Sequence, residues 1–478
     1  MIEGLNPYPA MMDAGVPWLG GTPAHWERRR LKALLRVIDR RSSTGTETLL
    51  SLRRDHGIVV YAEHFSRPAQ GATTVGYKIV KKGQLVVNRL QANNGLVFDS
   101  SLDGLVSPDY SVFEHRRSDQ IVMPYLSLLL RTPTYRNHFR RESTGLGTGS
   151  AGFLRLYDDR FLETPVVLPP TEEQASILRF LHHADQRIRR YIRGKQKLIR
   201  LLDEQKQSII HRAVTRGMDP HVPVKPSGVP WLSHVPEHWE VLSLRRVITQ
   251  AVDGPHHSPS YVDAGIPFLS ARNIKADCWS LGDAKYISED DYAEFSKRIV
   301  PEVGDVLYTK GGTTGVARAV DLSFRFQVWV HIAVLKVKKH KIVPRYLALV
   351  LNSPRCYEQA QLFTRGATNQ DLGLGRMKGI VFALPPLPEQ QTILSAVDNQ
   401  TRDLVEAILK TRAQIDSLRE FRTRLVSDVV TGNLDVRDVA AGLPEDVAES
   451  AQAAEVDSEA DVDEPSDDLD AAAAEAGA

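Results

Sequence analysis

One phrase is written twice in this chain. Residues 17–27 read PWLGGTPAHWE and residues 230–240 read PWLSHVPEHWE, with seven of the eleven positions identical. Two further pairs follow at nearly the same offset: LPPTEEQ at 168–174 returns as LPPLPEQ at 384–390, and AVTRG at 213–217 returns as VVTG at 429–432. A period above 200 residues is far longer than those of solenoids or propellers, so it marks a duplicated domain together with its connector. Each copy runs from the Trp-rich box through a variable region of roughly 140 residues to Pro-Pro-x-x-Glu-Gln, then into a long polar–apolar segment.

That last segment reads as helix. From Thr171 to Thr215 there is no proline and one glycine, Gly194. Ile177, Leu181, Ala184, Ile188, Tyr191, Leu198, Leu202 and Ile209 step by four and three, skipping Lys195 and Gln205. Ile393, Val397, Leu404, Ala407, Leu418, Phe421 and Leu425 repeat the phase in the second copy. This is a heptad seam. Two such helices, each ~65–70 Å long at ~1.5 Å per residue, bury their stripes on each other if they pair antiparallel. Packing on the parent domain alone is the other possibility, although helices this long are unusual there. Pro169–Pro170 and Pro385–Pro386 halt the preceding strands, Thr171 with Gln174 suits a capping box, and Gly217 and Gly432 supply stops.

The expected fold is therefore α+β. Two α/β heads, 15–168 and 228–383, are separated by two long antiparallel helices, 169–219 and 384–437, that form a coiled coil in an internal pseudo-two-fold duplication. The result would be a dumbbell, with each repeated box docking its head onto the helix ends through two tryptophan anchors.

Net charge separates the body from its tail. The 14 acidic residues from Asp438 onward, with no Lys or Arg among them, leave 60 basic against 45 acidic residues in 1–437, a charge of +15. Such a body suits a polyanion partner. The tail, 438–478, is expected to be disordered and solubilising. The start has no secretory pattern, no apolar run is long enough for a membrane span, and Cys278 and Cys356 form no CxxC pair. A reducing cytoplasm, no membrane and no metal site are the expectations.

The heads differ while sharing a skeleton. GDVLYTKGGTTGVARAV (304–320) reads as strand, glycine-rich turn, strand, and GQLVVNRLQANNGLVFDS (83–100) fits the same pattern, matching Gly83 to Gly304, Arg89 to Lys310 and Gly95 to Gly315. The first turn offers Arg89, Gln91, Asn93 and Asn94, with Lys78 upstream; the second offers Lys310, Gly311, Gly312, Thr313 and Thr314. Arg and Lys pair with guanine, Asn and Gln with adenine, and Thr and backbone amides hold phosphate. GIPFLSARNIK adds Ser270, Arg272, Asn273 and Lys275; RGATNQDLGLG adds Arg365, Thr368, Asn369 and Gln370; ESTGLGTGS adds Ser143 and Thr144. A single hairpin turn of this kind is weak evidence; two at equivalent positions in a basic body favour double-stranded DNA.

Jointly, the paired PWL…P-HWE boxes, GIPFLSARNIK, GDVLYTKGGTTGVARAV, GATNQDLGLG and the two LPP-x-x-EQ signatures resemble the specificity subunit of a type I restriction-modification enzyme, over roughly residues 15–437. The resemblance implies that each head is a target recognition domain reading one half of a bipartite, asymmetric site. It implies that the helices act as a ruler and dock two methyltransferase subunits, with restriction translocase-nuclease subunits joining them. S-adenosylmethionine, ATP and Mg would then serve those partners, and this chain would hold no cofactor and catalyse nothing. It has no GxxxxGK[ST] loop; NPYPA at 6–10 departs from the Asn-Pro-Pro-aromatic pattern of adenine methyltransferases. The remaining alternative is a duplicated coiled-coil adaptor whose heads bind proteins.

Overall fold

The computed structural model describes residues 5–65, 73–146, 153–365 and 371–444. The chain forms two compact units: Met1–Arg193 with Ile415–Ala478, and Gly194–Gln414.

The first unit is built on a four-stranded antiparallel sheet in the order Leu35–Ile38, Tyr110–His115, Leu85–Asn88, Val97–Asp99. Side chains alternate across a strand with period two, and both faces here are covered. Leu85, Val87, Val97 and Phe113 face the main core, with the helices Met123–Leu130 and Pro133–Glu142. Val86, Phe98 and Val112 face a smaller core with Leu50, Leu52, Ile58, Val80 and Val106.

The second unit repeats the order with Ile248–Asp253, Ile332–Val337, Val306–Thr309 and Ala317–Ala319, again antiparallel. Val306, Tyr308 and Leu335 face its main core, with the helices Pro344–Leu351 and Pro354–Phe363 contributing Tyr346, Leu347 and Ala360. Leu307, Ile332 and Val334 face Leu269, Phe326 and Val328. This outer layer is larger than its counterpart, because a second four-stranded sheet containing Ile266–Leu269 and Lys285–Ile287 adds a further cluster around Phe268 and Phe295.

The long helices run Thr171–Arg216 and Leu387–Val430. Each contributes to both main cores. In the first unit Ile177, Leu181, Ala184 and Ile188 pack with Leu418, Leu425, Val429 and Val430, and Asp185 accepts from Arg422. In the second, Ile210, Ala213 and Val214 pack with Ile393 and Val397, and Lys195 Nζ donates to Gln414 Oε1 at 2.6 Å. Rising numbers on one helix meet falling numbers on the other, so the pair is antiparallel.

The seam departs from the expected heptad after Ile188. Tyr191 and Leu198 are 53% and 45% exposed, and Phe421 is also exposed. Ile210 rather than Ile209 is fully buried; Ile209, Leu202 and Leu404 are half-buried. An α-helix makes 3.6 rather than 3.5 residues per turn, so an extra residue enters the stripe and shifts it by one. The shifted seam contains polar residues, Lys206, Thr401 and Thr411, all buried, which an apolar count passes over.

The repeated phrases meet at one place in each unit. Glu173 accepts from Tyr8 Oη at 2.7 Å, His25 Nε2 at 2.7 Å and Trp26 Nε1 at 3.0 Å. Glu389 accepts from His238 Nε2 at 2.8 Å and Trp239 Nε1 at 3.1 Å. The indole then covers the glycine ending the other long helix. A Cβ on Gly432 would lie 3.0 Å from Trp26 Cη2, and one on Gly217 3.3 Å from Trp239 Cζ2; both glycines have positive φ, +80° and +74°. The His-Trp of the box, the Glu of the helix start and the glycine of the opposite helix end thus form one joint. Its geometry explains why all three phrases recur.

The neighbouring glutamine does not serve the capping box expected of it. Gln174 Nε2 donates to Pro169 O at 2.9 Å and its Oε1 accepts from Val122 N at 2.8 Å. Gln390 makes the same pair of bonds, to Pro385 O at 2.9 Å and from Val343 N at 2.8 Å. These fully buried amides tie the helix start to the head, satisfying backbone groups that water cannot reach. Of the box's other tryptophans, Trp18 stacks on His138 with ring centroids 4.2 Å apart, whereas Trp231 is 40% exposed.

Candidate nucleic-acid interface

The matched turns occupy matched places. Gly83 and Gly304 have φ of +83° and +92°, and Gly95 and Gly315 have +87° and +99°, so each turn needs a residue that adopts the left-handed region without strain. The basic residue after each strand, however, points inward. Arg89 Nε donates to Asp109 O at 2.6 Å, and its guanidinium also reaches Pro108 O at 3.3 Å and Asp109 Oδ1 at 3.5 Å. Burial, then the nearby Arg155, lowers its pKa from the ordinary value. Lys310, 8% exposed, sits between Asp371 Oδ1 at 2.8 Å and Asp253 Oδ2 at 3.4 Å. Lys78 is buried with Asp39 at 3.6 Å, and desolvation lowers its pKa. Arg89 and Lys310 hold the bases of their turns and Lys78 the start of the strand Lys78–Val80; their charges are already engaged.

Several other candidates are equally committed. Ser270 and Asn273 cap each other across the Ala271–Asn273 turn, and Asn273 Nδ2 donates to Ser280 O at 2.8 Å and Asp283 Oδ1 at 3.0 Å. Ser143 Oγ donates to Phe139 O at 2.7 Å. Gly311 packs against His331, leaving no room for a Cβ. Thr314 is buried with its hydroxyl unpartnered, while its carbonyl accepts from Gln361 Nε2 at 3.0 Å.

A smaller set remains at the surface. In the second unit Arg272, Lys275, Gly312, Thr313 and Arg365 are exposed. Bridges from Asp371 to both Gly311 and Arg365 bring the glycine turn beside Arg365. Thr368, Asn369 and Gln370, the tip of that second turn, lie outside the described residues. In the first unit Thr144 is exposed, half-buried Gln91 precedes the Ala92–Asn94 turn without a side-chain cap bond to it, and half-buried Asn93 and Asn94 line a cleft with Pro133, Arg136, Asn137 and Arg140. The last three are absent from the sequence-based candidates. Their spacing of three, four and seven from Pro133 places them on one face of the helix, opposite buried Tyr135 and Phe139; that periodicity was the available signal.

Among the described residues no group of His, Cys, Asp and Glu is arranged to hold a metal, and no helix is long and apolar enough to cross a membrane. Cys356 is buried, which pushes its thiol up to about 12, so it packs rather than reacts.

No curated protein matches the chain by sequence. A chain of a type I R-M system, solved for complex assembly and conformational transition, aligns over 86% of this chain and 99% of its own at 16% identity and a TM-score of 0.56. The HsdS subunit from Thermoanaerobacter tengcongensis covers 86% of this chain and 98% of its own, at 17% identity and a TM-score of 0.38. The S subunit of the type I system from M. genitalium covers 84% and 96%, at 12% identity and a TM-score of 0.33. The family profile described as the type I restriction modification DNA specificity domain matches residues 23–199 and again 236–415. Those two spans take in most of both units, and this chain belongs to that family, carrying two copies of its domain.

Proposed function

We propose that this chain is the DNA-reading subunit of a type I restriction-modification complex, each unit reading one half of a bipartite, asymmetric site. The observation that carries this is one sheet-and-joint frame built twice, with different side chains at equivalent surface turns. A duplicated frame with unlike surfaces suits two unlike half-sites. The basic body supplies salt-sensitive phosphate affinity, and base contacts supply the sequence.

The paired helices set the distance between half-sites and dock two methyltransferase subunits. Exposed apolar side chains on them, Leu198, Leu201 and Leu409 in the second unit and Tyr191 and Phe421 in the first, suit a protein partner. Adenine methylation with S-adenosylmethionine, and ATP- and Mg-dependent translocation and cleavage, belong to the methyltransferase and restriction subunits, in a cytoplasmic complex; this chain alone cleaves and methylates nothing. The test is modified-base sequencing of a host expressing this chain with its methyltransferase. Deleting one heptad from each long helix should change the spacer or abolish methylation while the half-site bases stay the same. Altered half-site bases in that deletion would refute the ruler.

A further inference from the structure

The surface that reads DNA in the first unit is not the glycine turn alone. We propose that the cleft between the Ala92–Asn94 turn and the helix Pro133–Glu142 is a specificity-determining site, in which Arg136 and Arg140 hold a backbone phosphate while Asn137, Asn93 and Asn94 read the edge of an adjacent base. This rests on the DNA-reading role proposed above and names the residues that would perform it.

Three observations converge. The cleft is lined by Asn93, Asn94, Pro133, Arg136, Asn137 and Arg140, which is to say two guanidiniums, three carboxamides and no acid. Arg136 Nε donates to Asn93 O at 3.2 Å, which fixes the guanidinium at the cleft wall and leaves its other nitrogens open. No described carboxylate pairs with Arg136, Arg140 or the neighbouring Arg54. Burial, then the Arg54 charge, depresses the Arg136 pKa, as expected where like charges gather without compensation. Arginine retains its charge there, and an anion relieves the repulsion. A carboxamide offers a donor and an acceptor side by side, the pair that adenine presents in the major groove.

The second unit shows that the fold does not require this arrangement. Gly315 abuts Tyr357 as Gly95 abuts Arg136, so the two positions correspond. There the ring replaces the guanidinium. Arg355 pairs with Glu358 at 2.9 Å, and Gln361 donates to Thr314 O at 3.0 Å. The equivalent face is neutralised and internally bonded. Unpaired cations and open amides in the first unit therefore reflect its ligand, not its frame.

The experiment uses this chain assembled with its methyltransferase subunits. Arg140→Ala should weaken binding to all sequences alike and reduce the slope of log K against log salt by about 1, one phosphate contact. Asn137→Ala should relax one base position in one half-site, with discrimination there falling roughly tenfold or more, and Asn137→Gln should shift the preference rather than restore it. Both side chains are exposed, so thermal melting should match the parent complex. Parent-like salt slope and half-site discrimination in both variants would overturn the cleft assignment, leaving the DNA-reading role intact. A parent complex that methylates without sequence preference would overturn that role, and the cleft with it.

Discussion

The two units are most instructive where their frames coincide and their surfaces do not. At the joint, the residues are the same and make the same bonds: a glutamate receives a His-Trp pair, a glutamine ties a proline carbonyl to a helix start, and a glycine lies under the indole. At the turn beyond the third sheet strand, each places a cation inside, yet one is held largely by carbonyls and the other by two carboxylates. On the helix facing that turn, Arg136, Asn137 and Arg140 stand against Tyr357, Glu358 and Gln361. Identity follows geometric demand, and divergence begins where side chains leave the frame. Residue type alone does not say which side of that line a residue lies on; packing does.

The joint offers the sharpest break. Glu173 is 7% exposed with three donors, whereas Glu389 is 31% exposed with two. Removing a buried acceptor leaves its donors without partners. Glu173→Ala should cost about 3 kcal/mol and Glu389→Ala about half as much, read by denaturant melts with hydrogen exchange resolved to each unit. Equal losses would mean that Tyr8 adds nothing.

Next in size is the buried cation. Lys310→Ala leaves Asp253 and Asp371 facing each other and should destabilise the second unit by about 2 kcal/mol, with loss of recognition at one half-site only. Arg89→Ala frees chiefly two carbonyls, with one exposed carboxylate at 3.5 Å, and should destabilise the first unit by about 1 kcal/mol, with loss of recognition at the other half-site. Thermal melts and methylation of half-site variants check both.

Glycine at the helix ends sharpens the joint comparison further. Gly432→Ala forces a Cβ against Pro23 and Trp26, whereas Gly217→Ala meets only the edge of Trp239 and the Glu389 carboxylate. Positive φ burdens both, so about 1 kcal/mol is expected for Gly217→Ala and somewhat more for Gly432→Ala, by denaturant midpoint.

The smallest contrast is in acid. Burial alone would raise the Asp253 carboxyl, but the hydrogen bond from Arg298 and the Lys310 charge hold it below the ordinary carboxylate range. A depressed folded value contributes stability above the unfolded pKa, near ~3.9, and that contribution disappears as pH falls through the folded value. Below pH about 4, strand amides of 306–309 should lose exchange protection sooner than those of 85–88, whose Arg89 is held mainly by the carbonyls of Asp109 and Pro108 and only at 3.5 Å by the Asp109 carboxylate. Simultaneous loss would remove the distinction.

Much of the frame was legible because it is periodic or repeated. The long helices begin and end within a residue or two of the proline and glycine signals, and both strand–turn–strand readings match the sheets. Side-chain commitment was not legible. Lys310 follows a strand buried on both faces, Val306–Thr309, so it starts inside and stays there, yet KGGTTG reads as an open hand. Asn273 looks like a base reader and is a cap. Conversely, PTYRNHFRRE reads as an ordinary solvated helix face, and its opening onto a cleft depends on a turn some 40 residues earlier in sequence. Tyr191 and Leu198 fit a strict heptad, whereas the structure half-buries their neighbours Ile192 and Ile199; two apolar residues side by side satisfy either register, so the one-residue slip is ambiguous in the pattern alone.

The first unit is written first but finishes last. Its core awaits Leu425, Val429, Val430, Val436 and Ala440, and its leading segment bonds at Asn6 to Asp435, whereas the second unit needs nothing past Gln414. On a ribosome, domains fold as they emerge, so the second unit can close while the first still exposes an unfinished apolar face. Chain closure over more than 400 residues costs only logarithmically more than over a short span, so the delay is one of time rather than of final stability. For that interval the newborn chain carries an uncovered apolar face, the kind of surface through which nascent chains associate.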